Sequence, residues 1–341
     1  DYFVVVGRGN LVPDIDVHDT RGLYDLEFNP AIYDRYPATN RPGAPLPESN
    51  LGVFCFPEGV CLETKPAPPI VFDFALQNGE GTRLYCTCLT TYERVVQPSA
   101  QIPLMFAAED GFVELPPWLD LSASAAGYAS VYTPKALVLL SRYPVFTTAR
   151  RVLRKLLQLS MSAAPLPIER YVLHVMRDTP LPPPGLHSVG VTLGDEHFVV
   201  AQPPPNALPL LDAPVLLAFH CLDQKNVLAV FTALLCERHV ALCSRHLSVL
   251  TPVSEALRGF LYPFVWAVPY IPVIPAALAD VLGSPTPYLF GYHGDCLAAH
   301  ARATSGREAS DTVFVDLDRN TVTVPPHAPL PKMPPRARAK L

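Results

Sequence analysis

Apolar and polar residues alternate along this chain in short blocks, and the spacing within each block predicts the element it forms. Residues 2–6, Tyr2-Phe3-Val4-Val5-Val6, open with an aromatic and β-branched run that predicts a strand. The segment leading to Arg35-Tyr36-Pro37 predicts a short helix before the Pro-rich loop 42–47. Residues 51–56 predict a second strand, ended by Pro57-Glu58-Gly59. Residues 71–76 and 82–89 flank Gln77-Asn78-Gly79-Glu80-Gly81, whose Asn-Gly suits the positive φ of a hairpin turn. The first third therefore predicts an antiparallel sheet with a helix. From 98 to 127 the chain turns to Pro, Ser, Ala and Gly, which marks a boundary.

Helices and strands then alternate. Residues 136–140 form a short apolar run, and residues 145–160 carry apolar positions at helical spacing. Residues 168–177 predict a further helix, closed by Pro180 and Leu181-Pro182-Pro183-Pro184-Gly185. Residues 189–193 and 198–202 pair around Gly194-Asp195. Helices over 226–237 and 247–261 enclose 240–244, a run apolar enough for a strand buried on both faces. Strands at 269–274, 288–292, 313–317 and 322–324 complete the set. Helix and strand in alternation with short connections predict an α/β fold whose sheet is mostly parallel and lies between helices.

Composition changes this picture in three places. Forty prolines in 341 residues are more than twice the usual ~5%, and they fall between the apolar runs, so they read as ordered loops. The 21 residues 259–279 are uncharged and imitate a membrane span, yet Pro263, Pro269, Pro272 and Pro275 interrupt them, so a helix end and a strand are expected instead. The net charge of −5 excludes a general nucleic-acid binder. The tail after Pro325 holds Lys332, Arg336, Arg338 and Lys340 with no acid and reads as a basic, Pro-rich linker over 325–341. A strand opening at Asp1 with no initiator Met predicts a piece of a longer protein. The eight cysteines lie mostly in apolar runs, which predicts reduced, buried thiols and a cytoplasmic setting.

Candidate chemistry is sparse. Cys236, His239, Cys243 and His246 have suggestive spacing for a metal, but a strand at 240–244 separates Cys236 from the others, and no metal site is expected. No phosphate loop, dinucleotide fingerprint or nucleophile elbow is present, and Ser244 lacks the flanking glycines of such an elbow. Asp316 and Asp318 could pose as an acid pair, although aspartates at a strand end more often cap or turn. His174, His220 and His293 are scattered. Covalent chemistry and a cofactor are therefore not expected. Polar groups at the ends of apolar elements remain, suited to gripping a protein. Arg142-Tyr143 pairs two residue types enriched at interface hot spots, and Arg150, Arg151, Arg154 and Lys155 make a basic helix face whose simpler reading is a solvated surface.

Here the residues reach a resemblance over about 320 positions. Asp1-Tyr2-Phe3-Val4-Val5-Val6-Gly7, Arg35-Tyr36-Pro37, Phe54-Cys55-Phe56-Pro57-Glu58-Gly59 and Gly81-Thr82-Arg83-Leu84-Tyr85 resemble an upstream DENN region. Tyr132-Thr133-Pro134-Lys135 through Ser141-Arg142-Tyr143-Pro144 is similar to the start of a core DENN region. So are Asn226-Val227-Leu228, Cys236-Glu237-Arg238-His239, Tyr262-Pro263-Phe264-Val265-Trp266 and Pro285-Thr286-Pro287-Tyr288-Leu289-Phe290-Gly291. Nothing beyond 324 resembles the downstream DENN region. The resemblance implies a longin-like N-terminal lobe over 1–97, a linker over 98–127 and a core lobe over 128–324. It implies guanine-nucleotide exchange on a Rab GTPase in membrane trafficking, the partner being held nucleotide-free or GDP-bound. It also implies a cytoplasmic protein, recruited to vesicle or organelle membranes through other parts of the molecule. Within it the expected GTPase-binding residues, facing a cleft between the lobes, are Tyr36, Arg142, Tyr143, Asn226, Arg245 and Asp316. Two rivals stand beside exchange. One is a non-catalytic adaptor for loaded GTPases, and the other is a longin-DENN scaffold that stimulates hydrolysis through one arginine, with Arg142 the candidate.

Overall fold

The computed structural model describes residues 1–11, 27–77, 83–94, 105–108, 111–114, 132–185, 187–208, 210–303 and 311–334. In chain order the elements are β1 (Tyr2–Leu11), β2 (Glu27–Tyr36), α1 (Glu48–Cys55), β3 (Val60–Cys61), β4 (Ile70–Gln77), β5 (Arg83–Arg94), β6 (Met105–Ala108) and β7 (Gly111–Glu114). There follow β8 (Tyr132–Ser141), α2 (Phe146–Met161), α3 (Ile168–Leu173), which runs on as a π-turn over His174–Asp178, β9 (Ser188–Leu193), β10 (Glu196–Ala201), α4 (Val215–Cys221) and α5 (Gln224–Leu235). The last set is β11 (Val240–Ser244), α6 (Leu247–Gly259), β12 (Tyr270–Ile274), a 3-10 segment (Ala276–Gly283), β13 (Leu289–His293), α7 (Cys296–Ala303), β14 (Val313–Asp316) and β15 (Thr321–Thr323).

Two expected elements change type. Of the expected strand 51–56, residues 51–55 belong to α1 and Phe56 caps it, because Leu51, Phe54 and Cys55 are buried at helical spacing and a short apolar run does not by itself distinguish strand from helix. The helix expected before Arg35 is β2, which pairs antiparallel with β1, opposing Tyr36 to Phe3. The Asn78-Gly79 turn lies outside the described residues.

Six strands form an antiparallel sheet in the order β3-β2-β1-β8-β5-β4. Strand β8 follows the expected boundary at 98–127 in the chain, yet residues 132–141 fill the centre of the first sheet, between β1 and β5. Helix α2 packs on β5 and β8, and Val152 and Leu156 meet Leu193 and Phe198 of the β9–β10 hairpin. Among the described residues, then, β8, α2 and the β9–β10 hairpin pack with the N-terminal sheet. Within 98–127, β6 and β7 pair as a hairpin and the rest lies outside the described residues.

The second sheet is mixed, in the order β12-β13-β11-β14-β15, parallel except for β15. All five residues of β11 are buried, as its apolar run predicts. Side-chain alternation sends Val240 and Leu242 toward α5, α6 and the first sheet, and Ala241 and Cys243 toward α7 and the 3-10 segment. One hydrophobic core thus runs from Tyr2, Val4 and Phe74 to Leu250, Val253 and Leu257. Where the sheets meet, a cavity of 530 Å³ remains, lined by Phe54, Leu76, Leu84, Tyr270 and Ile271 among others.

Residues 259–279 divide into the end of α6, a loop, β12 and the start of the 3-10 segment. Among the described residues no helix is long and apolar enough to cross a membrane. The tail departs from the expected loose linker at its start. Leu330 packs against the core, and Arg238 donates to the Ala328 carbonyl at 3.0 Å. Arg336, Arg338 and Lys340 lie outside the described residues.

Candidate functional site

The six residues expected to share a cleft fall into two groups. None lines the cavity between the sheets. Tyr36, Arg142 and Tyr143 stand at one end of the first sheet. The neighbouring Arg83, at the start of β5, donates to the Trp266 carbonyl just before β12, so this end lies toward the amino ends of the parallel strands. Asn226, Arg245 and Asp316 lie at the other side, around the carboxyl ends of β11 and β14.

In the first group Arg142 clasps Asp1. Its Nε and a terminal nitrogen lie 3.2 and 3.0 Å from Asp1 Oδ1, and its backbone N–H donates to Oδ2 at 2.8 Å. Tyr143 is 37% exposed beside it. Both line a cavity of 280 Å³ walled by Phe146, Val152 and Phe198. Tyr36 borders a neighbouring cavity of 650 Å³ with Phe3, Val5, Lys135 and Leu156.

The basic face of α2 is largely spent on internal pairs. Arg150 turns inward to the buried Asp73 of β4, which also accepts from the Thr87 hydroxyl at 2.8 Å. Arg151 lies 3.5 Å from Glu196 and stacks 4.7 Å over the Phe198 ring. Lys155 pairs with Asp195. Arg151 and Lys155 thus position the β9–β10 hairpin and Arg150 ties α2 to β4, so these cations serve internal pairs.

The second group is a connected polar network. In open parallel sheets the carboxyl ends of the strands are where ligands bind. Asp318, in the β14–β15 turn, accepts from the Ser244 hydroxyl at 2.7 Å and the Arg245 N–H at 2.8 Å. Asp316 folds that turn, accepting from the backbone of Asp318 at 3.0 Å and Arg319 at 2.9 Å. This is the turn-forming role expected of strand-end aspartates. Asn320, at φ 53°, continues it: its side chain accepts from Asn226 Nδ2 at 2.9 Å and from the Asp223 N–H at the same distance. Asp223 caps α5, accepting from the Asn226 N–H at 2.7 Å.

Arg245 continues outward from β11, 66% exposed, with Asp295 at 3.4 Å. Asp295 accepts from the Leu297 N–H at the start of α7, and that hydrogen bond holds its carboxyl below the usual range. His293 bridges the Arg245 carbonyl at 2.9 Å and Glu58 at 3.1 Å, tying this end to the N-terminal region. Arg319 and Glu58 are exposed at the rim. The arrangement presents alternating guanidinium and carboxylate groups on a rigid frame, suited to a charged protein surface. Among the described residues no cluster of three or more His, Cys, Asp or Glu could hold a metal ion. Cys236 is exposed at the end of α5, whereas Cys243 is buried in β11.

Sequence reasoning missed Asp318, Asn320, Asp295, His293 and Glu58 as members of this network. Asp318 and Asn320 carried a signal, the polar run Asp318-Arg319-Asn320 between two strands. Glu58 carried none, because tertiary packing alone brings it there.

The chain folds as two sheets on a shared core with polar groups gathered at strand ends, and its sequence places it in a family. The DENN (AEX-3) domain matches residues 132–320, more than half of the chain, and the uDENN domain matches residues 30–91. The chain belongs to the DENN family. It is 28% identical over 340 residues to the DENN domain and WD repeat-containing protein SCD1 of Arabidopsis thaliana, covering 96% of this chain. It spans about a quarter of that relative's length, 26%.

Proposed function

We propose that this chain is a guanine-nucleotide exchange module for a Rab-type GTPase, acting at an organelle or vesicle membrane from the cytoplasmic side. The observation that carries the reading is the DENN match over 132–320, which includes Arg142, Tyr143, Asn226, Arg245 and Asp316. We read the first sheet with α2 and α3 as a longin-like lobe and the second sheet as the core lobe. Arg142 with Tyr143 and Arg245 with its network would contact the GTPase at two separate places, which suits a partner with two mobile loops.

The mechanism is one of linkage. A chain that binds the nucleotide-free GTPase more tightly than the loaded one must weaken nucleotide binding by the same factor. No group of its own needs to react. Stimulation of hydrolysis would call for an arginine free to enter a GTPase site, whereas Arg142 is already engaged by Asp1.

Release of fluorescent GDP from a panel of Rab GTPases, with and without the chain, tests the proposal. Faster release from one or two members supports exchange. Unchanged release together with preferential binding of the GTP form assigns an effector instead, and faster hydrolysis assigns an activating scaffold.

A further inference from the structure

We propose that Cys243 and Cys296 form a dithiol modification site, oxidised by a hydroperoxide to a reversible disulfide between β11 and α7. Alternation along β11 turns Cys243 to the α7 side, where it lies buried with Ala241, Ala299 and Phe314. Cys296 opens α7 and packs against the same cluster. The backbone fixes this approach. Strand β13 runs parallel to β11, with Tyr292 beside Cys243 and His293 beside Ser244. The chain then reverses at Gly294, whose φ of 132° favours glycine and whose N–H donates to the Ser244 carbonyl at 2.9 Å. Cys296 comes two residues later, and its thiol and that of Cys243 hydrogen-bond to each other. Neither is in a disulfide.

Exposure sets the order of reaction. Cys243 is 1% exposed, whereas Cys296 is only half-buried, so the peroxide meets Cys296 first. The Cys296 thiolate attacks one peroxide oxygen, the O–O bond breaks, and the other oxygen leaves as hydroxide, which takes up a proton to form water. The product is a sulfenic acid at Cys296. The Cys243 sulfur then attacks the sulfenic sulfur, the S–O bond breaks, and the hydroxyl leaves as water with the Cys243 proton. Two thiols are oxidised, one peroxide is reduced, and two waters form. The hydrogen bond to Cys296 and burial push the Cys243 thiol up, which holds it protonated until its partner has reacted.

Contact alone does not make such a site. Cys55 and Cys88 also touch, but both are buried, so the oxidant reaches neither. The Cys243–Cys296 bond forms beside the polar network of the strand ends, since Cys243 precedes Ser244 and Arg245, and Cys296 follows Asp295. An S–S bond of about 2.05 Å is shorter than any thiol–thiol hydrogen bond, so closure draws the start of α7 toward β11.

Peptide mapping of the intact chain tests this. The reduced chain is treated with hydrogen peroxide, denatured, and its free thiols are blocked with N-ethylmaleimide. Trypsin then releases 239–245 with Cys243 and 259–302 with Cys296. These two peptides should appear joined, lighter by two hydrogens than their sum, and dithiothreitol should separate them. Cys296→Ser, a change at a half-buried position, should leave Cys243 open to alkylation after the same treatment. Cys243→Ser should leave a sulfenic acid at Cys296 that dimedone captures. Alkylation of both thiols in the natural chain after the exposed Cys236 has been oxidised, a bridge from Cys296 to another cysteine, or oxidation of Cys243 in the Cys296→Ser chain would each overturn the proposal.

Discussion

Glu255 Oε1 accepts a 2.6 Å hydrogen bond from the Tyr270 hydroxyl, joining α6 to the edge strand β12. Both side chains are buried. Arg258, one turn along α6, occupies the other carboxylate oxygen and reaches the Tyr85 hydroxyl of β5 at 3.3 Å. Burial pushes the Tyr270 phenol up, and the Glu255 carboxylate adds to this, so the phenol stays a donor. The guanidiniums of Arg258 and Arg83 lie 5.3 and 5.4 Å from the Tyr270 ring centre. One ring thus fastens the two sheets together by its edge and its face.

Removing either end of this contact should have unequal effects. Tyr270→Phe deprives one buried carboxylate oxygen of its donor, which costs about 1–3 kcal/mol. Glu255→Ala leaves the Arg258 charge without its partner inside the protein, which costs about 3–5 kcal/mol. Urea denaturation followed by tryptophan fluorescence should rank the variants in that order. Equal losses would show that the ion pair adds nothing beyond the hydrogen bond.

Asp73 gives a pH dependence whose sign can be worked out. Burial lifts its carboxyl above the ordinary range, with Arg150 and the Thr87 hydroxyl pulling the other way. In the unfolded chain it titrates near ~3.9. Between that pH and its higher folded value the native state holds a proton the unfolded chain has lost, so stability falls as pH rises through the window. Asp73→Asn cannot titrate. The advantage of the natural chain over this variant should therefore be largest near pH 4 and narrow toward neutrality. Denaturation midpoints of both chains across that range measure it, and a gap that widens with pH would mean that the Arg150 pair dominates.

How far the sequence led can be judged from single elements. The run at 240–244 was legible as β11 because burial on both faces leaves Ser244, at its end, the one polar residue. Helix α1 was not, since the six residues 51–56 are too few to separate period 3.6 from a strand. Strand β2 escaped notice because its residues are mostly half-buried or exposed, and backbone pairing with β1 rather than apolar alternation holds it. Arg245 and Asp316 were found as strand-end polar groups. Asp295, which pairs with Arg245, and Glu58, which pairs with His293, were not, because they arrive there only through strand order and chain crossings. The placement of β8 between β1 and β5 was illegible for the same reason: a strand's neighbours are not written in its own residues.

Arg245→Glu separates binding from folding. The side chain is 66% exposed, and exposed ion pairs such as that with Asp295 contribute little to stability. The backbone N–H of Arg245, which holds Asp318, is untouched by the change. The melting temperature should stay the same while acceleration of GDP release falls at least tenfold. A variant that melts earlier would instead make the guanidinium part of the frame.

Gly291 shows how tightly the second sheet is closed. It lies at the centre of β13, opposite Leu242 of β11, where β12 slips register between Ile271 and Ile274. That slip brings Pro272 over the glycine. A Cβ at 291 would collide with the Pro272 carbonyl oxygen, stand 2.7 Å from its carbon, and meet Leu250 of α6 at 3.5 Å. The obstruction is backbone, so no side-chain rotation relieves it, and overpacking of this kind costs about 1–3 kcal/mol or more. Gly291→Ala should lower the urea midpoint strongly. Gly283→Ala, where nothing lies within 4 Å of the added methyl, should leave it nearly unchanged. If both variants melt like the natural chain, β12 can move away from β13, and the register slip is not a fixed feature of the sheet.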